Sequence, residues 1–261
     1  KGVFTSCGIN DDCPPWAIYA DEIKHDKSKK QLIYKDAVLK IYNFPILYFP
    51  KFFHPDPSVK RQSGLIKPAL NNSNVLGTSL MLPYFKVISE SKDLTLTPIW
   101  FDSDTLMSTV EYRQENKNSS LITDFGFVNG YESPTTKKES SLSHIFIDYN
   151  LDLKLENFNS SNFEMSINRV SNDSYLNVFD QYITKSNLRP LDFNKLSNSI
   201  NVKFNHSDFD FETGLQSFEN LRIKNQSDRY QYVLPYYNFD KNISKNYFNG
   251  SISVNSNGSN V

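Results

Sequence analysis

An all-β fold is predicted by three observations. Apolar and polar residues alternate with the two-residue period of half-buried strands through most of the 261 residues. Residues 1–57 hold no helical pattern with caps. Aromatics make up 14% of the chain, with 20 Phe and 15 Tyr against 2 Trp, yet no apolar run approaches the length of a spanning helix and the mean hydropathy is −0.51. Membrane-spanning strands need only about 9–11 tilted residues with one apolar face, so a barrel fits this polar composition. A soluble, Tyr-rich all-β protein has a similar composition and is the reading that composition alone favours, and periodicity cannot separate the two.

The 28 basic and 29 acidic residues give a formal charge of −1, which offers no polyanion-binding surface, and nucleic acid is not an expected partner. The sequence opens at Lys1 and stops at Ser259-Asn260-Val261 in mid-pattern, so it is expected to be an internal piece of a longer protein. The lack of a targeting segment then carries no information.

In chain order, Trp16, Ile18 and Ala20 alternate, and Ile23 and His25 continue the strand after a kink. Asp26-Lys27-Ser28-Lys29-Lys30 is a turn. Ala37, Leu39 and Ile41 then share a face opposite Lys40 and Tyr42, Asn43-Phe44-Pro45 turns the chain, and Ile46 and Tyr48 begin the next strand. Longer alternations follow. Leu94, Leu96 and Pro98 oppose Thr95, Thr97 and Ile99, and Val110 and Tyr112 oppose Thr109, Glu111 and Arg113. Phe125 and Phe127 flank Gly126, and Ile145 through Leu155 oppose Asp148 through Glu156. Phe163, Met165, Ile167, then Phe209 to Leu215, Tyr230 to Leu234, and Ile252 with Val254 repeat the pattern. Stretches 114–120, 129–143 and 183–199, rich in Asn, Ser and Lys, are expected to be solvent-exposed connections.

Between Ile46 and Pro98, strand patterns and prolines coincide. Leu65-Ile66-Lys67-Pro68 and Leu80-Met81-Leu82-Pro83-Tyr84 each carry a proline in an apolar strand, where it can give no N–H to a ladder. The pair reads as a weakened seam. In order come Tyr48-Phe49-Pro50, His54-Pro55-Asp56-Pro57, Arg61-x-Ser63-Gly64-Leu65-Ile66-x-Pro68, Leu82-Pro83-Tyr84-Phe85 and Asp93-x-Thr95-x-Thr97-Pro98. This series resembles the LptD family of outer-membrane lipopolysaccharide-assembly proteins. Phe4-Thr5-Ser6-Cys7 and Pro15-Trp16-x-Ile18-x-Ala20 resemble the end of that family's periplasmic domain, and Ser171-Asn172-Asp173-Ser174-Tyr175-Leu176 resembles a barrel hairpin. The similarity becomes diffuse beyond about Asp180.

The resemblance implies the end of a periplasmic β-jellyroll over residues 1–57, followed over 58–261 by antiparallel strands of a large transmembrane outer-membrane β-barrel. Ile18, Ala20, Leu39, Ile41, Ile46 and Tyr48 would line a lipid groove, with ordinary core packing as the alternative. Pro68 and Pro83 would mark one side of a lateral gate, weakening its pairing with the barrel's last strand. Pro55, Pro57, Lys60, Arg61, Ser63 and Gly64 would form the hinge and rim, where Lys60 and Arg61 either meet lipid phosphates or lie in a solvated turn. The implied function is receipt of lipopolysaccharide from a periplasmic bridge and its insertion into the outer leaflet. The implied partners are lipopolysaccharide, outer-membrane lipids, an LptE-like lipoprotein plug and an LptA-like bridge protein.

Cys7 and Cys13 in an otherwise cysteine-free chain suggest an oxidising compartment rather than a metal site. Cys7 matches a family position that bonds to the distal part of the barrel. Cys13 departs from the pattern, so the pairing of both stays open. The four histidines, His25, His54, His144 and His206, form no hydrolase or metalloenzyme motif, and His144 and His206 are expected on the surface. No catalytic residue, metal ligand or cofactor is expected. A passive porin and a soluble β-sandwich binding module are the competing readings.

Overall fold

The computed structural model describes residues 2–5, 16–41, 44–56, 58–59, 61–133, 139–183, 188–247 and 250–261. It divides into two compact units, Lys1–Gln62 and Ser63–Val261.

The first unit is an antiparallel sheet of four strands in chain order: β1 (Gly2–Phe4), β2 (Trp16–Asp26), β3 (Gln31–Ile41) and β4 (Phe44–Pro55). The Asp26 carboxylate closes the β2–β3 turn by accepting from Ser28 Oγ at 2.7 Å and Lys29 N at 3.0 Å. Of the expected turn at Asn43-Phe44-Pro45, Phe44 and Pro45 already belong to β4, pairing with Ile41 and Lys40, and Asn43 lies outside the described residues. Pro45, Pro50 and Pro55 all lie in β4, the last strand of this sheet, whose outer edge needs no ladder donors.

The kink expected after Ala20 is a crease across the sheet. Ala20 pairs with Ala37 and Ala37 with Phe49, and the regular register resumes at Glu22, Lys35 and Lys51. Between them Asp36 takes φ 48°, a left-handed conformation that Asp tolerates better than most residues. Tyr34 and Ala37 are thereby buried together despite their three-residue spacing, with Phe49 and Phe52 packed against them. One apolar face continues across the bend.

The second unit's antiparallel sheet has 13 strands among the described residues. It opens with β5 (Gly64–Leu65), β6 (Ala69–Ser73), β7 (Gly77–Met81), β8 (Tyr84–Ser89), β9 (Lys92–Phe101) and β10 (Leu106–Glu115). It continues with β11 (Ser119–Glu132), β12 (Glu139–Asp152), β13 (Ser160–Val170), β14 (Lys195–Asn205), β15 (Phe209–Asn220), β16 (Tyr230–Tyr247) and β17 (Gly250–Ser259). From β9 to β17 each strand pairs with the next in sequence. Stretches 114–120 and 129–143 are shorter connections than expected, since strands take up much of both. The alternation read from Ile145 to Leu155 stops at Asp152, and Lys154 turns the chain at φ 49°.

Register puts Leu96, Val110, Phe125 and Ile145 in one cross-strand row. Leu96, Phe125 and Ile145 are exposed, as are Trp100, Phe127, Ile200, Leu215, Ile252 and Val254. An apolar face of this extent is far beyond scattered surface leucines, and it calls for an apolar surrounding or partner. The opposite face carries Asp93, Thr97, Thr109, Asp124 and His144 beside a buried apolar group that includes Ile99, Met107, Val128 and Phe146.

That apolar group is covered by the described part of segment 171–194, residues 171–183 and 188–194. Instead of a hairpin loop in solvent, this stretch forms α1 (Tyr175–Val178) and packs Tyr175, Leu176, Phe179, Tyr182, Ile183 and Leu188 into the core. Tyr182 meets Phe101 edge-on at 4.9 Å and Phe179 meets Tyr131 at 5.4 Å. The expectation of an exposed 183–199 connection is therefore corrected, whereas Ser171–Leu176 does lie in the connection of an antiparallel strand pair, β13 and β14. The apolar residues spaced through 175–188 have a wall of the sheet to pack on.

Phe146 is fully buried beneath this segment. Phe146→Ala is expected to cost about 3–5 kcal/mol, read as a lowered denaturant midpoint of the purified chain. An unchanged midpoint would mean that the segment does not pack on the wall in solution.

Candidate functional site

Strands β5 to β8 form one interrupted hairpin. Ala69 to Ser73 pair with Met81 to Gly77, and Gly64 and Leu65 pair with Phe85 and Tyr84. Between the two ladders, Ile66, Lys67 and Pro68 stand against Leu82 and Pro83, three residues against two, so register slips. The Ile66 N–H donates to the Pro83 carbonyl at 2.8 Å, and on the other side the Leu82 N–H donates to the Pro98 carbonyl at 3.1 Å. In an antiparallel strand a residue's N and C=O point the same way. Pro83 therefore lacks a donor toward the first strand, and Pro98 lacks one toward Leu82. Pro98, read in sequence as part of a motif and of the Leu94–Leu96–Pro98 alternation, extends the interruption into β9. The strand made of β5 and β6 ends the sheet order.

On the inner side, a cavity of about 290 Å3 lies against Pro83, lined also by Thr95, Thr97, Glu111, Gln181 and Tyr182. Ser79 on β7 donates from Oγ to the Tyr182 hydroxyl at 3.1 Å, tying segment 171–194 to the strand beside the interruption. The start of the segment is clamped by Arg229, which donates to both carboxylate oxygens of Asp173 at 2.6 and 3.1 Å and to Glu219 at 2.6 and 2.8 Å.

His144, expected on the surface, is buried. Its Nδ1 lies 2.8 Å from the Tyr175 hydroxyl and its ring stacks on Phe146 at 4.5 Å. Burial, followed by the charge of Asp124, pushes the Tyr175 hydroxyl well above its ordinary range. Tyr175 thus keeps its proton and is placed to donate to Nδ1, while Nε2 lies 3.3 Å from Asp124 Oδ2, outside hydrogen-bond alignment. A histidine at a strand position on the polar face gives no local signal of burial, since the covering residues arrive from 31 positions away. Gly126 leaves room for it, because a Cβ there would fall 2.3 Å from the ring.

The remaining residues singled out in sequence fall as follows. Ile18 and Ala20 are buried, Leu39 is half-buried and Ile41 is exposed. Leu47 and Phe49 pair with Leu39 and Ala37, so they belong to the same face of the sheet. Ile46 sits at a register shift, and Tyr48 lies on the other face, opposite Val38, where its hydroxyl donates to Asp36. Pro55 ends β4, Arg61 is exposed, Gly64 begins β5, and Ser63 Oγ accepts from the Val87 N–H at 2.8 Å. Cys7, Cys13, Pro57 and Lys60 lie outside the described residues. Asp56 accepts from the Ser58 N–H at 2.8 Å and pairs with His25 at 2.7 Å. These contacts, the Ser58 bonds foremost, hold its carboxyl below the usual range.

No family model matches the chain. Among curated proteins it is 29% identical to LPS-assembly protein LptD of Pseudoalteromonas translucida over 184 residues, covering 70% of this chain and 23% of that protein. It is 28% identical to LPS-assembly protein LptD of Cupriavidus necator over 222 residues, 84% of this chain and 25% of the relative. For that of Shewanella frigidimarina the identity is 26% over 243 residues, 92% and 29% respectively. The chain is LptD-like. It spans 23–29% of the length of these relatives. The aligned stretch of 243 residues is long enough to take in most of both units of the LptD-like chain.

Tyr175→Phe leaves His144 Nδ1 buried without a donor and is expected to cost about 1–3 kcal/mol, measured as a lowered thermal midpoint. No change would mean that water reaches the histidine. The first unit should lose stability as pH falls through the depressed Asp56 value. The Asp56 contribution is complete above the ordinary carboxylate pKa of about 4, and Asp56→Asn should flatten this acid limb in a pH series of unfolding midpoints.

Proposed function

We propose that this chain serves lipopolysaccharide assembly in the outer membrane, with residues 58–261 as barrel strands and 1–57 as the end of a periplasmic jellyroll. The observation that carries the reading is the alignment of Pro68, Pro83 and Pro98 at the terminal strands, with an exposed apolar face on one side and, on the other, a cavity that mixes the apolar Met81 and Ile183 with the polar Thr95, Thr97, Glu111 and Gln181. An amphiphile needs both surfaces at one opening: acyl chains leave into hydrocarbon while sugars stay with polar side chains. Opening a complete ladder in lipid would strand N–H and C=O groups at several kcal/mol each. Prolines lower that barrier by having fewer donors to strand. Similarity to LptD over up to 92% of the chain supports the same reading.

In this proposal Ile18, Ala20, Leu39 and Ile41 contribute to the lipid path of the first unit, and Pro55, Pro57, Lys60, Arg61, Ser63 and Gly64 form the hinge and rim. Partners are lipopolysaccharide, an LptE-like plug, an LptA-like bridge and the outer-membrane lipids. The role is non-catalytic. The inward-folded segment 171–194 weighs against a passive porin, because it occupies the wall that an open pore would leave wet.

Pro83→Ala supplies a donor toward the first strand worth about 0.5–1.5 kcal/mol, so lipopolysaccharide export by the complete protein should slow about 2- to 12-fold. Photocrosslinking probes at Ile41 and beside Pro83 should both capture lipopolysaccharide in cells. Export unchanged in both Pro68→Ala and Pro83→Ala, or neither probe crosslinking in folded protein, would overturn the proposal.

A further inference from the structure

On the exposed apolar face, β13, β14 and β15 leave a groove of about 390 Å3 walled by Ile167, Ile200, Leu215 and Leu234. Arg169 stands at this groove with its side chain 63% exposed. By register it sits beside Ile145, extending the row of Leu96, Val110, Phe125 and Ile145 with a cation. Its ionic neighbour is Glu219, whose Oε2 is a distant 3.9 Å away. The other oxygen of Glu219 already accepts from Arg229 Nε and Nη2, at 2.8 and 2.6 Å, and from the Tyr230 hydroxyl at 3.0 Å. The guanidinium of Arg169 keeps most of its five-donor fork for a partner outside the chain.

An exposed cation on a lipid-facing belt is costly in hydrocarbon and tolerated near the interface. Arg169 lies next to the end of β13, at the rim from which segment 171–194 departs. The fork matches phosphate geometry, and an apolar groove beside it matches an acyl chain. We propose that Arg169 and this groove bind one phosphate-bearing lipid of the surrounding bilayer, with the phosphate on the guanidinium and a chain along Ile167, Ile200, Leu215 and Leu234. The inference rests on the membrane-spanning reading of this sheet.

The test is native mass spectrometry of the complete protein in mild detergent, with phosphatidylglycerol, with diacylglycerol of the same chains, and with inorganic phosphate alone. One retained phosphatidylglycerol is expected, weakened about tenfold by Arg169→Gln, partly restored in Arg169→Lys, and weakened by the groove-filling Ile200→Trp. Equal retention by Arg169→Gln, equal retention of diacylglycerol, binding of inorganic phosphate alone with the same strength, or a copurifying protein seated in the groove would each overturn the lipid site. Heat-modifiable gel migration, run on the same samples, separates the two levels. Migration preserved with retention unchanged sinks the site alone, whereas migration that is not heat-modifiable in wild type sinks the membrane reading and the site together.

Discussion

Backbone hydrogen bonding between neighbouring strands is the constraint on which the second unit depends. It fixes the register, register fixes which side chains share a face, and the faces decide what each side of the sheet can meet. Where donors are missing, all three consequences weaken together. Pro68, Pro83 and Pro98 could have been spread over distant strands, each a small local loss. Their registration across adjacent strands concentrates the loss at one place, next to the terminal strand.

The inner face shows a second balance. A polar wall beside water needs no lid, but the buried patch of Ile99, Met107, Val128 and Phe146 does, and segment 171–194 supplies it. The segment brings polar groups with it. Tyr175 meets His144, Tyr182 meets Ser79, and Asp173 meets Arg229. Buried polar contacts of this kind contribute modestly to stability, yet leaving one unmade is expensive, so they select one docking position among many that apolar packing would accept. The tie between Tyr182 and Ser79 makes the lid a direct neighbour of the interrupted hairpin.

In the first unit the same principle works through a crease. A strictly regular sheet would carry Tyr34 and Ala37 on opposite faces. The left-handed turn of backbone at Asp36 lets both join one apolar surface, with Phe49 and Phe52 following across β4. An alternation count that assumes one phase along the strand assigns Tyr48 to that surface, whereas pairing with Val38 puts it on the other.

Much of this protein was legible in the sequence. Period-two alternation determined the strands from β9 onward, β14 excepted, and their division into an apolar and a polar face, because side-chain direction along a strand is a local property. The prolines at 68 and 83 marked the seam for the same reason, since a missing N–H is missing in any fold. Tertiary structure decided the rest: that Pro98 completes the interruption, that 171–194 folds onto the inner wall, and that His144 is buried beneath Tyr175. Each of these depends on contacts between residues far apart in the chain, and a local pattern holds no record of which distant segment will cover it.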